Sequence, residues 1–357
     1  MEKKLLLIGL LLFVIGNGNS QSSSIALSTV MDNIREEYDI AEITAAIVKT
    51  DEIHYAISGI PSSQKSDTEI LKSKMHLGSI SKTITSLIAA KMIEDGKITF
   101  ETTLGSLIPE LAGIGNANSL TLKNLLTNTS DLSPYDKEKD FKRVPDFSGS
   151  PSNKMMEFSK IALERGSGKT FSNAGYVMAA LMLEKVGGVP FEDLLRQVIE
   201  EDLKLSCFIG VPNRTELLNF WGSWNDSSIQ ISHFASNPHL NADFMMPAEG
   251  ISMDIVDYSK IMQLHLNGLL GATNYLDHTS YSKIHYELDE FGYGWKNTIA
   301  DQSKISFHDT QSNTYFCHVV LIPRQKIAIV IMAQIKDPSG ADGIYELRNR
   351  LAARYNQ

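Results

Sequence analysis

Residues 76–93, His-Leu-Gly-Ser-Ile-Ser-Lys-Thr-Ile-Thr-Ser-Leu-Ile-Ala-Ala-Lys-Met-Ile, constrain this chain more than any other stretch. Ile80, Ile84, Leu87, Ile88 and Met92 recur at helical spacing, which predicts a buried helix with Ser79 at its start. Lys82 follows three residues later, so its ammonium and the Ser79 hydroxyl share one face, a turn apart. A lysine desolvated at such a position loses its proton near neutral pH, because burial disfavours the charged form, and can then accept the serine's proton. The first N–H groups of a helix have no partner inside it and are free to receive an oxyanion. The segment thus has the parts of a nucleophilic serine that needs no histidine.

Spacing alone does not single it out, since Ser-x-x-Lys also occurs at Ser62/Lys65 and Ser280/Lys283. The first of these lies in a polar loop and the other in a Tyr- and Ser-rich segment, with no apolar helix expected behind either. Ser79 is also a favoured helix-cap residue, so its context has to carry the catalytic reading. No Gly-x-Ser-x-Gly elbow occurs, which argues against an α/β-hydrolase. Gly166-Ser-Gly-Lys-Thr170 lacks the upstream strand and first glycine of a phosphate loop and reads as a turn.

With 357 residues and 43% hydrophobic content, the chain can bury a large core. Its formal charge of -9, with no basic run, makes nucleic acid and anionic membrane poor partners and favours a small-molecule or peptide substrate. Cys207 and Cys317 are too few for a disulfide scaffold or zinc cluster, and the histidines show no ligand spacing; no metal and no cofactor is expected. Residues 1–20 read as a signal peptide: Lys3 and Lys4, an apolar run from Leu5 to Ile15, then small residues placed for cleavage before Gln21. The run is shorter than the ~18 residues of a membrane span, and no cysteine waits at the cleavage point for a lipid. A periplasmic or secreted protein with no stable membrane anchor is expected, its oligomeric state open.

Along residues 21–357 the pattern predicts a helix over 25–38 and a hairpin of strands Ile43–Lys49 and Glu52–Ile60. The Ser79 helix should stop at Asp95-Gly96. Residues from about 100 to 270 read as mainly helical, with helices at Thr121–Thr127, Gly175–Val186, Phe191–Ile199 and Ile255–Leu266 and a long loop over 220–245. Strands return at Tyr293–Thr298, Lys304–Phe307, Tyr315–Leu321 and Ile327–Gln334, followed by a helix at Tyr345–Tyr355. The expected fold is α/β: one antiparallel sheet built from 40–60 and 291–336, flanked by helices, with an inserted mainly helical part and a cleft at the junction.

Five segments together carry a family resemblance: Leu77-Gly-Ser-Ile-Ser-Lys-Thr83, Leu125-Leu-Thr-Asn-Thr-Ser-Asp-Leu132, Phe171-Ser-Asn-Ala-Gly-Tyr176, Pro247-Ala-Glu-Gly-Ile-Ser-Met-Asp-Ile-Val-Asp257 and Phe291-Gly-Tyr-Gly-Trp295. In this order they resemble the serine β-lactamase and penicillin-binding protein superfamily, in particular the class C β-lactamase-related esterases, D-aminopeptidases and carboxypeptidases. The resemblance implies the β-lactamase/transpeptidase-like fold, Ser79 as nucleophile and Lys82 as its partner. It further implies that Asn173 hydrogen-bonds the lysine and the substrate amide. The family's second motif, Tyr-x-Asn, has Phe171 at its tyrosine, and phenylalanine cannot carry a proton. Tyr176, Tyr315 or a water would have to serve instead, although Tyr176 belongs to the family pattern as a structural residue.

The family's third motif, Lys-Thr-Gly or His-x-Gly, is best matched by His308-Asp309-Thr310. By that match His308 walls the substrate site, and the backbone N–H of Gln311 is the second oxyanion donor after that of Ser79. A plain polar strand residue is the alternative for His308. Thr310 replaces a glycine, and a β-branched residue there should narrow the substrate's approach to the strand. Two functions follow: an acyl-transferring serine hydrolase working through Ser79, as an esterase, amidase or acyltransferase; or a relative with an impaired site that binds a peptide, cell-wall fragment or partner.

Overall fold

The computed structural model describes residues 19–59, 66–142, 144–165, 171–212, 242–300, 302–311, 315–336 and 338–355. Most of the expected leader, Ser62/Lys65, the Gly166–Thr170 turn and most of the expected 220–245 loop lie outside these residues.

Six strands form one antiparallel sheet: β1 (Glu42–Lys49) and β2 (Ile53–Ser58) from the start of the chain, β6 (Lys296–Ala300), β7 (Ser303–Gln311), β8 (Tyr315–Ile322) and β9 (Ile327–Gln334) from its end. Their order is β2-β1-β9-β8-β7-β6. Strand β1 joins the two groups by pairing with β9 from Glu42 opposite Gln334 to Lys49 opposite Ile327. A smaller sheet, β3-β5-β4, is made of β3 (Met75–His76), β4 (Cys207–Ile209) and β5 (Ile251–Met253).

The apolar run of β9, Ile-Ala-Ile-Val-Ile-Met-Ala, is explained by burial on both faces. Ile327, Ile329, Ile331 and Ala333 pack with Leu27, Met31 and Ile34 of the Asn19–Glu37 helix and with Ile344, Leu347 and Leu351 of the Gly340–Arg354 helix. Ala328, Val330 and Met332 face the other way, into the cluster that includes Ile84, Leu87 and Ile88 of the Ser81–Glu94 helix. That helix is therefore sandwiched between the sheet and the helical part of the chain, and Lys82 on it has no exposed surface at all.

Three sequence expectations change in detail. Tyr293, Gly294 and Trp295 precede β6 instead of starting it. Gly294 has φ +73°, and a Cβ there would meet the Lys82 carbonyl oxygen at 2.5 Å, so this turn packs on the backbone of the nucleophile helix. Strand β7 runs on to Gln311 and so includes His308, Asp309 and Thr310. Ser280 and Lys283 do lie on a helix, His278–Tyr286, because Tyr281 and Ile284 supply a buried side; Lys283 faces outward. Sequence reasoning missed that helix because two apolar positions within a polar segment give little periodic signal.

Candidate active site

Ser79 sits in a short 3-10 turn, Gly78–Ile80, that runs directly into the Ser81–Glu94 helix. Gly78 adopts φ +51°, and a Cβ on it would lie 2.3 Å from Cγ2 of Thr310, so both backbone and space require glycine. Thr310 anchors this turn to β7: its hydroxyl donates to the Leu77 carbonyl (2.8 Å) and accepts from the Ile80 N–H (3.0 Å). Its bulk is thus directed at the Gly78 turn, where the expectation had it standing in the substrate's path.

Lys82 Nζ donates to Ser79 Oγ at 3.1 Å and to the Ala248 carbonyl at 3.0 Å. Its remaining surroundings are aromatic, with the Phe171 ring centroid at 5.2 Å and that of Tyr176 at 5.5 Å. Burial lowers the Lys82 pKa to about 8, against the opposing pull of Glu249. At pH 7 roughly a tenth of such a lysine is neutral, whereas an ordinary lysine is almost wholly charged. The π-faces of Phe171 and Tyr176 favour the remaining ammonium form by up to about 2 kcal/mol in a desolvated site.

The hydroxyls of both candidate phenols are engaged with groups outside this pair. Tyr176 donates its hydroxyl to the Leu126 carbonyl at 2.5 Å, and burial pushes its pKa up. Tyr315 shares a 3.0 Å hydrogen bond with His76 Nδ1, again with its pKa raised by burial. The structural role expected of Tyr176 agrees with this arrangement.

Asn173 begins the Asn173–Gly187 helix and is fully buried. Its Nδ2 donates to the Tyr135 carbonyl (2.7 Å) and to Glu249 Oε1 (2.7 Å), while its Oδ1 has no partner among the described residues. The implied bond to Lys82 is replaced by one to a carboxylate that sequence reasoning did not single out. Glu249 ends the short Met246–Glu249 helix, and Ser79 Oγ donates to its Oε1 at 3.3 Å. The available signal was an acidic residue inside the otherwise apolar segment Pro247–Ile251; nothing in that pattern says which way its side chain points.

On β7, His308 is buried and its Nδ1 lies 3.0 Å from the Asp309 carbonyl. A carbonyl only accepts, so Nδ1 carries the proton and Nε2 keeps a lone pair. Burial, with Lys82 and Lys296 nearby, lowers the His308 pKa to about 3, which leaves a neutral ring at physiological pH. Gln311 is exposed at the end of β7, with its side chain turned aside to the Pro338 carbonyl at 3.1 Å. The structure therefore brings Ser79, Lys82, Asn173 and Glu249 into one hydrogen-bonded group, with Phe171 over the lysine and β7 held against the Ser79 turn by Thr310.

Residues 27–354 match the family model described as Beta-lactamase. Among curated proteins, a beta-lactamase of Providencia stuartii is 22% identical over 339 residues, which span 84% of this chain and 83% of the relative. A beta-lactamase of Escherichia coli (strain K12) is 24% identical over 237 residues, 66% of this chain and 59% of the relative. Among solved structures, a class C beta lactamase from Rhodobacter sphaeroides superposes with a TM-score of 0.67 at 18% identity, over 92% of this chain and 100% of its own. The octameric penicillin-binding protein homologue from Pyrococcus abyssi gives a TM-score of 0.66 at 17% identity, over 92% of this chain and 77% of its own. SurE, solved with D-Leu, gives 0.70 at 13% identity, over 93% and 76%. These three likenesses show the fold.

Proposed function

This chain belongs to the beta-lactamase family, and on that premise we propose that it is a serine hydrolase or acyltransferase that forms an acyl-enzyme on Ser79 with an ester, amide or peptide substrate. The observation that carries the reading is the 3.1 Å contact between Ser79 Oγ and a fully buried lysine whose pKa is lowered to about 8.

In this mechanism neutral Lys82 accepts the Ser79 proton as Oγ attacks the substrate carbonyl. The backbone N–H groups of Ser79 and Gln311 hold the oxyanion. Lys82 then returns the proton to the departing amine or alcohol, and water or an amine resolves the acyl-enzyme. Asn173 and His308 border the substrate, the latter as a neutral hydrogen-bond acceptor through Nε2. The reading of residues 1–20 as a leader supports a periplasmic or secreted mature protein.

Fluorophosphonate labelling read by intact mass tests the nucleophile, and hydrolysis of p-nitrophenyl esters, D-aminoacyl amides and a chromogenic cephalosporin tests the substrate class. A single adduct on wild type, absent from Ser79→Ala, is expected, together with ester or amide turnover exceeding β-lactam turnover, because Phe171 lacks the tyrosine's hydroxyl. A protein that binds peptide or cell-wall fragments yet leaves Ser79 unlabelled would instead be the impaired relative, a reading favoured only by the changed residues Phe171 and Thr310.

A further inference from the structure

Phe171 leaves the water-consuming half of the reaction without its customary proton carrier, and Tyr176 has its hydroxyl committed to Leu126. Lys82 is fully buried beneath Ser79, held to the Ala248 carbonyl and covered by two rings. Glu249 differs from both: it is part-exposed, so solvent reaches it, and its Oε1 lies 3.3 Å from the oxygen that would carry the acyl group.

Its placement is held by three hydrogen bonds between its chain neighbours and the nucleophile helix. Thr85 donates to the Pro247 carbonyl (2.7 Å), Lys82 to the Ala248 carbonyl (3.0 Å), and Ser81 Oγ accepts from the Ile251 N–H (3.0 Å). Backbone on both sides of Glu249 is therefore locked to the helix that bears Ser79. Asn173 then orients the carboxylate itself, at 2.7 Å, and is anchored in turn on the Tyr135 carbonyl. A general base needs this combination of contact with the reacting centre, access to water and a supported side chain.

We propose that Glu249 is the general base of deacylation, taking a proton from the water that attacks the Ser79 acyl-enzyme. The proposal rests on the acyl-enzyme reading above. The water oxygen forms a bond to the acyl carbon while Glu249 takes one water proton. The bond from that carbon to Ser79 Oγ then breaks, and Oγ takes the proton held by Glu249, directly or relayed through Lys82, which restores both side chains to their starting states. Carboxylic acid leaves and free serine is restored, with no redox change.

The test is rapid-quench mass spectrometry of wild type and Glu249→Gln with p-nitrophenyl butyrate. Wild type should turn over with little acyl-enzyme present. Glu249→Gln should release the first equivalent of p-nitrophenol at a rate within a few-fold of wild type, then stall, with butyryl-Ser79 accumulating and steady-state turnover falling by about 10²-fold or more. If Glu249→Gln fails to fold, Glu249→Asp, which withdraws the carboxylate by one methylene, should show the same build-up in milder form. Wild-type turnover without a stalled acyl-enzyme in either variant overturns the role, as does a folded variant that no longer acylates or one impaired only toward cationic substrates through KM. A wild type that never forms a Ser79 adduct overturns the acyl-enzyme reading itself, and this role with it.

Discussion

Ser79–Lys82 and Ser280–Lys283 set the same spacing on two helical segments of one molecule, and only their surroundings differ. Lys82 has no exposed surface, donates to Ser79 Oγ and to a backbone carbonyl, and lies under two aromatic rings. Lys283 points to solvent from a helix whose buried side is Tyr281 and Ile284. An exposed ammonium keeps its hydration shell. Ser-x-x-Lys supplies only adjacency; the neutral, proton-accepting lysine comes from the sheet and helices that remove water from Lys82.

The largest expected effect separates the two serines. Ser79→Ala should lower esterase turnover by on the order of 10³-fold or more and abolish fluorophosphonate labelling, as loss of a nucleophile does. Ser280→Ala should leave both within twofold; equal losses from the two variants would end the distinction.

Next come the lysines, where activity and stability should move in opposite directions. Lys82→Met should abolish detectable acylation yet stabilise the fold at pH 7 by about 1–3 kcal/mol, because it removes a buried charge that Glu249, being part-exposed, does not need for its own solvation. Sign follows from the direction of the shift: the folded pKa of about 8 lies below the ordinary 10.5. Charged Lys82 therefore penalises the fold in full below pH 8, and the penalty fades as pH rises toward 10.5. Denaturant melts across that window should show the gain of Lys82→Met shrinking with pH, whereas Lys283→Met should stay within about 0.5 kcal/mol throughout.

The same titration gives a kinetic signature. Only neutral Lys82 accepts the Ser79 proton, so the labelling rate should climb about tenfold per pH unit in the acid range and flatten near pH 8. Burial chiefly sets this value, modulated by Glu249 and Asp136, which raise it, and Lys296, which lowers it. A labelling rate that is flat from pH 6 to 9 would count against Lys82 as the base.

The smallest effect probes the contact between β7 and the Ser79 turn. Thr310→Val removes both hydroxyl bonds to the Ser79 turn, to the Leu77 carbonyl and from the Ile80 N–H, at similar volume. It should cost about 1–2 kcal/mol in denaturant unfolding and slow acylation several-fold. Acylation unchanged beside the stability loss would show that the turn keeps Ser79 in place without β7.

Much of the fold was legible because it depends on local periodicity. The hairpin β1–β2, the apolar run of β9, the helix after Ser79 and the capped turn of helix at Thr121 follow from alternation, burial and capping residues within a few positions of each other. Ser79 and Lys82 were likewise readable as candidates from local pattern, and Asn173 as one from the family resemblance; the structure brings the three into one hydrogen-bonded group through Glu249. The His278–Tyr286 helix and the early end of the expected Tyr293 strand were not, because their conformations are imposed by what they pack on.

By itself the sequence determined that a serine and a lysine stand one turn apart at the start of an apolar helix between two strand-forming ends. Tertiary structure decided what those residues meet. It buried Lys82 completely, turned Asn173 away from the lysine, aimed Thr310 at the turn that carries Ser79, and brought Glu249 from 170 residues away in the sequence into contact with the Ser79 hydroxyl. The physical reason is range: periodicity and capping act over a few residues, whereas desolvation and hydrogen bonding at a site are properties of groups that only folding makes neighbours.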